Sequence, residues 1–233
     1  MDKPGKGRRI WELDFLKGIA LLLMVYFHLI YDLDQFFNNT VSIESPFNAY
    51  TGKAAGLLFI FTAGIGTYLS RNNLKRGLKL FGIAIIITIA SYIYSPDEII
   101  MFGILHFFAA CILLYPLFRK LNPAALFVLG VLIYLLKTPA GKINMPFNYL
   151  FPLGLINQSF ASSDYYPLIP YLGIFIFGVA IGKILYKEKT SIFKFQPPKN
   201  FINFAGRHTL AIYLLHQPII LIVLELIKRI YSR

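Results

Sequence analysis

Lys17–Gly18–Ile19–Ala20–Leu21–Leu22–Leu23–Met24–Val25–Tyr26–Phe27–His28–Leu29–Ile30–Tyr31–Asp32 decides the class of this protein. The run is apolar over the length of a membrane span, yet it holds a cation at one end and a histidine and a carboxylate toward the other. Ionisable side chains at membrane depth are costly and mark function by default. His28 and Asp32 are four residues apart, so a helix sets them on one face, close enough to share a proton. Lys17 lies eleven residues before His28, about 16 Å along the helix axis at ~1.5 Å per residue.

The rest of the chain agrees with a membrane reading. It has 233 residues, 57% of them apolar and 15% charged, with a mean hydropathy of +0.61. A soluble domain carries about a quarter of its residues as charges. Seven apolar segments read as spans, near 15–36, 52–70, 78–94, 99–118, 123–137, 167–186 and 207–228. The expected fold is therefore all-α, a polytopic helical bundle forming a single integral-membrane domain over 1–233. The basic N-terminus imitates a signal peptide. Its apolar run is too long, however, Lys17 interrupts the start, and no small-residue cleavage site follows. We read it as a retained first span.

Charge sets the expected orientation. With the N-terminus cytoplasmic, seventeen of the 23 Lys and Arg residues fall inside, in the segments 1–17, 71–79, 119–120 and 183–207. Six fall outside, which is the bias of a multi-pass protein of the cell membrane. The net charge of +12 belongs to these loops. It points to membrane lipid or a phosphate-bearing ligand rather than nucleic acid. Segment 138–166 is rich in Pro, Gly and Asn and still carries the apolar run Phe147–Ile156. It reads as a re-entrant or interfacial element shielded by protein, with an eighth span as the alternative. Cys111, the sole cysteine, reads as core packing.

Two further histidines fall within apolar segments: His106 in the fourth span and His216 in the seventh. His208 stands at a cytoplasmic helix start, where a capping role suffices. A carboxylate beside a histidine fixes its tautomer and stabilises the imidazolium, leaving the other nitrogen as general base or nucleophile. The candidate catalytic set is thus His28, Asp32, His106 and His216. Lys17 and the basic residues Arg71, Arg76 and Lys79 are candidates for binding a phosphate-bearing donor. No close metal-ligand motif is present, and no metal is expected.

These same residues carry a family resemblance. Glu12–Leu13–Asp14–Phe15–Leu16–Lys17–Gly18–Ile19–Ala20 with Met24–Val25–Tyr26–Phe27–His28 resembles the first span of transmembrane acyltransferases. It is most similar to bacterial relatives of the heparan-alpha-glucosaminide N-acetyltransferase catalytic domain. It is also similar to the acyltransferase-3 family, whose first span pairs a basic residue with a catalytic histidine eleven positions on. Gly103–Ile104–Leu105–His106, Asp164–Tyr165–Tyr166–Pro167–Leu168–Ile169–Pro170–Tyr171–Leu172–Gly173, and Gly206–Arg207–His208–Thr209–Leu210 running on to Tyr213–Leu214–Leu215–His216–Gln217–Pro218 look like the acetyltransferase domain, in its order. Where the family basic residue is usually Arg, this chain has Lys17, which lacks bidentate phosphate geometry. The resemblance implies an enzyme moving an acyl group, here acetyl, from cytoplasmic acyl-CoA to a sugar hydroxyl or amine outside. Acetyl-CoA would be the donor substrate and an envelope or exported saccharide the acceptor. A homo-oligomer is compatible with it. The competing reading is a proton-coupled or solute transporter built on the same His and Asp residues.

Overall fold

A computed structural model describes residues 9–37, 45–198 and 200–231. Lys3, Lys6, Arg8, Lys199 and Arg233, which entered the charge comparison, lie outside the described residues. The chain is helical: α1 (Trp11–Phe36), α2 (Pro46–Leu69), α3 (Asn73–Tyr94), α4 (Ile104–Phe118), α5 (Pro123–Leu135), α6 (Lys137–Ala140), α7 (Leu168–Leu185), α8 (Phe201–Arg207) and α9 (Thr209–Tyr231). Six of the helical stretches among the described residues are long and apolar enough to cross a membrane. They correspond to six of the seven expected spans. The seventh is α4, an apolar helix of 15 residues, about 22 Å long at ~1.5 Å per residue against a hydrocarbon core of ~30 Å.

Two compact units make up the chain, one of residues 1–59 with 189–233 and the other of residues 60–188. In the first, α1 packs against α8 and α9. Backbone meets backbone where α8 crosses α1. A Cβ on Gly206 would stand 1.7 Å from the Asp14 carbonyl oxygen, and one on Gly18 would stand 2.1 Å from that of Ile202. Between membrane helices no hydrophobic force distinguishes protein from lipid, so close approach through small residues supplies the packing energy. Leu13, Ala20, Leu21 and Met24 bury the inward face of α1.

The same end of α1 buries two carboxylates. Glu12 accepts from the Ser191 hydroxyl and the Ile192 backbone N–H, both at 2.9 Å. Asp14 accepts from Arg9, and Arg207 Nε stands 3.6 Å from it. Both acids lie in the first turn of α1, where they complement the positive end of the helix dipole. That is why the helix starts at Trp11, four residues before the apolar run.

In the second unit the core is Phe107, Phe175, Ile112, Ile176, Leu126 and Val179, all fully buried. Gly64 and Gly178 let α2 and α7 meet; a Cβ on either would lie 2.1 Å from a carbonyl oxygen of the other helix. Asn72 and Asn122 cap α3 and α5 by accepting from Lys75 and Ala125 N–H groups. Lys183 Nζ donates to the Arg119 carbonyl at 2.7 Å and also to that of Leu121, which satisfies orphan acceptors at the C-terminus of α4.

The start of α4 differs from expectation. Residues 99–103 are extended, not helical. Ile99 and Phe102 carbonyls accept from Ser163 and Tyr166 N–H groups, and Met101 N–H donates to the Ser162 hydroxyl. Asp164 then caps α4 from sixty residues away, accepting from Ile104 N–H at 3.0 Å. Segment 138–166 holds no helix longer than the single turns Lys137–Ala140 and Phe151–Leu153, so no eighth helical span forms there. Its order comes from side chains: Phe151 stacks on Phe160, and the Tyr165 hydroxyl donates to the Phe151 carbonyl at 2.6 Å.

Candidate functional site

The polar residues of α1 and α9 converge within the first unit. The rings of His28 and His216 stand edge to face, 4.9 Å between centroids at 80°. Both imidazoles are held in the same way. His28 Nδ1 lies 2.9 Å from the Met24 carbonyl, and His216 Nδ1 lies against the Tyr213 carbonyl. A carbonyl only accepts, so each Nδ1 must carry the proton. In the neutral rings the basic nitrogen is then Nε2 in both. The Met24 carbonyl, one helical turn back, therefore sets the His28 tautomer, a role the sequence reading gave to Asp32.

Asp32 is 4% exposed and receives Gln217. The amide Nε2 donates to Oδ2 at 2.8 Å and to Oδ1 at 3.1 Å. Only the NH₂ end of an amide can serve a carboxylate in this way, so the orientation of Gln217 is settled by its partner. Its Oε1 points away, buried and without a hydrogen-bond partner, as is His216 Nε2. Pro218 follows directly. Lacking an N–H, it removes the bond that would close on the Leu214 carbonyl and loosens α9 beside these two residues. The result is a cluster of acceptors: a carboxylate, an amide oxygen and two imidazole nitrogens. It is chemically matched to a ligand that brings N–H or O–H groups.

Lys17 stands half-buried near the other end of α1, one residue before the Gly18 crossing. His106 belongs to the second unit. Its ring stacks on Phe102 at 5.8 Å, and its Nε2 lies 3.2 Å from the Thr88 hydroxyl. That hydroxyl donates its one proton to the Ile100 carbonyl at 2.6 Å. His106 Nε2 must therefore be the donor of its pair, leaving Nδ1 as the basic nitrogen. This is the opposite tautomer from His28 and His216. Arg71 and Lys79 are exposed, whereas Arg76 is turned inward with Nη1 3.5 Å from the Thr67 hydroxyl. Among the described residues no three His, Cys, Asp or Glu side chains are grouped to hold a metal ion.

The family described as heparan-alpha-glucosaminide N-acetyltransferase, catalytic, matches the chain over residues 9–218. The chain belongs to this family. No curated protein and no solved structure matches it. The acetyltransferase match reaches from two residues before α1 to Pro218. It takes in His28, Asp32, His106 and His216 and stops two residues past His216, with the whole C-terminal half of α9 outside it. The chain is accordingly a multi-pass membrane protein of an acetyltransferase family.

Within the acetyltransferase match, the structure gives the resembling stretches physical partners. Glu12–Ala20 packs on Gly206–Arg207. Gly103–His106 is held by the segment 162–166, through the carboxylate of Asp164. Gln217, Glu12 and Asp14 make buried polar contacts that reading along the chain did not single out. The only sequence signal for Gln217 was its place beside His216 in Tyr213–Pro218.

Proposed function

We propose that the protein is a membrane-embedded acyltransferase that moves an acetyl group from cytoplasmic acetyl-CoA to a hydroxyl or amine of a saccharide outside the cell membrane, with its N-terminus cytoplasmic. The reading is carried by the imidazole pair His28 and His216, each with Nδ1 tied to a backbone carbonyl and Nε2 basic, beside the buried carboxylate of Asp32.

In the proposed reaction the acceptor oxygen or nitrogen attacks the thioester carbonyl carbon while its proton passes to His28 Nε2. The C–S bond then breaks, and the departing thiolate takes up the proton. Asp32, oriented by Gln217, stabilises the imidazolium. His216 Nε2 and Gln217 Oε1 receive hydrogen bonds from the acceptor and position it. His106 enters the proposal as an oxyanion or proton-relay group, on the strength of its place in the family stretch Gly103–His106. Lys17 and the basic residues Arg71, Arg76 and Lys79 are assigned to the phosphates of the donor.

Purified protein in vesicles, supplied with labelled acetyl-CoA and amino- and hydroxy-sugar acceptors, is expected to release CoA and acetylate a sugar. Lys17→Ala should weaken donor binding by about 1.5–3 kcal/mol, the range for a hydrogen bond to a charged group, with single-turnover transfer nearly unchanged. Solute flux through the same vesicles without any dependence on CoA would assign the His and Asp residues to transport instead.

A further inference from the structure

The residues between α7 and α8 are fastened to the first turn of α1. Trp11 Nε1 donates to the Phe195 carbonyl at 3.1 Å, and its ring packs on Phe193 and Phe195 with centroids 5.3 and 5.4 Å away. Glu12 holds Ser191 and Ile192 beside it. The fastened segment nevertheless turns its large side chains outward: Phe195 is 58% exposed, and on α8 Phe201 is 68% and Phe204 57% exposed. Lys189 and Lys194 are exposed among them, as is Arg9. Glu12 and Asp14 are buried and spent on partners, Asp14 on Arg9 itself, whereas Glu188, next to Lys189 in the chain, is exposed. Lys189 and Lys194 outnumber that one acid, so what faces outward is aromatic and on balance cationic.

The level of this surface follows from the helices. Trp11 is the first residue of α1 and Thr209 the first of α9, both candidate spans. The Gly18 and Gly206 crossing places α8 against the start of α1, so both spans begin at one end. A Trp at a span end sits at headgroup depth, exposed Phe rings beside it enter the headgroup–acyl boundary, and neighbouring Lys attracts anionic lipid. We propose that the surface formed by Trp11, Phe193, Phe195, Phe201 and Phe204 with Lys189 and Lys194 is a binding surface for anionic phospholipid headgroups. It holds the junction of α8 and α9 at the membrane boundary, and it is separate from the histidine cluster further along α1 and α9.

Trp11 is the single tryptophan of the chain, so its fluorescence reports this surface alone. The full chain is reconstituted in phosphatidylcholine vesicles containing phosphatidylglycerol at a fixed fraction. In one set the phosphatidylglycerol is brominated high on its acyl chains, and in the other an equal fraction of the phosphatidylcholine is. At low salt, Trp11 quenching should show phosphatidylglycerol enriched at least about fivefold over phosphatidylcholine, the effect of roughly one basic residue near a charged surface. The enrichment should shrink as salt is raised. The Lys189→Gln, Lys194→Gln double variant should bring it close to one, and Lys142→Gln, elsewhere on the chain, should leave it unchanged. Equal quenching by the two lipids at low salt overturns the proposal, as does full enrichment in the double variant. It also falls if Trp11 emission in phosphatidylcholine responds to coenzyme A and phosphatidylglycerol has no effect, since the cations would then serve the donor.

Discussion

The two ends of α1 bury carboxylates in opposite ways. Near its start, Glu12 and Asp14 are met by a hydroxyl, a backbone N–H and two guanidinium groups, and the backbones of α1 and α8 close over them. Near its end, Asp32 is met by an amide whose own oxygen is buried and unpartnered, next in the chain to His216, whose Nε2 is also unpartnered. A saturated carboxylate contributes to the fold, because its charge has been exchanged for fixed internal bonds. An acceptor cluster short of donors costs stability, of the order of 1–3 kcal/mol for each group left unmade. Such a cost is expected where the missing donors come from a substrate. The contrast marks the start of α1 as a structural anchor and supports the proposal that its end holds the chemistry.

The largest effect that could break this assignment is on rate. His28→Ala should lower acyl transfer by the 10²–10⁴-fold typical of losing a general base, while donor binding stays near the parent value. Single-turnover transfer and equilibrium binding of acetyl-CoA, measured on one preparation, separate the two. A variant that turns over normally would remove His28 from the reaction.

At the other end the largest effect should be on folding. Gly206→Ala puts a methyl group 1.7 Å from a backbone oxygen, and backbone cannot move aside as a side chain can. Prying α8 from α1 should cost about 3 kcal/mol, the upper part of the usual overpacking range. This would appear as a lowered unfolding midpoint in detergent. Gly82→Ala is the matched control, because a Cβ at Gly82 meets nothing within 4 Å; its midpoint should hold or rise slightly with helix propensity. Equal behaviour of the two variants would mean that the crossing is not close.

Gln217→Leu tests the link between the carboxylate and the imidazoles. It keeps the bulk and removes the amide donor from Asp32. Transfer should fall about 10- to 100-fold, corresponding to 1–3 kcal/mol for a buried group that loses a hydrogen-bond partner, and stability should change less than in Gly206→Ala. Retention of full activity would show that Asp32 needs no orientation from α9.

What the sequence disclosed, and what it concealed, follows the range of the interactions. The helices were legible because a span is a local property: twenty apolar residues announce themselves whatever they pack on. His28 and Asp32 were legible for the same reason, as charges out of place in an apolar run. Gln217 was not, since its partner is 185 residues away and glutamine in a helix has no distinctive pattern. Nor was the role of Asp164, which caps α4 from outside the helix, or the extended stretch 99–103, whose apolar residues look helical until residues 162–166 pair with them. The burial of Glu12 and Asp14 was not legible either, because it depends on Ser191, Ile192 and Arg207, all far along the chain. The family stretches, by contrast, mark many of these distant contacts, because each is one half of a pair brought together only by folding.

Arg9 is the more exposed of the two arginines at Asp14, its side chain 58% accessible against 43% for Arg207. Arg9→Ala should cost no more than about 1 kcal/mol, as for exposed ion pairs in general. The Asp14 carboxylate would remain beside Arg207, and water can reach the place Arg9 leaves. The unfolding midpoint should therefore move far less than in Gly206→Ala, and acyl transfer should stay within a factor of about two, the chemistry lying at the other end of the helix. The measurement discriminates because the two ends predict different sensitivities to a lost partner. At the start of α1 two arginines serve one carboxylate near water, so one deletion is absorbed. At Asp32 the amide of Gln217 meets both carboxylate oxygens in a buried place, and its deletion should be felt in rate. A large loss of transfer in Arg9→Ala, with the fold intact, would carry the functional site to the start of α1 and end the division drawn between its two ends.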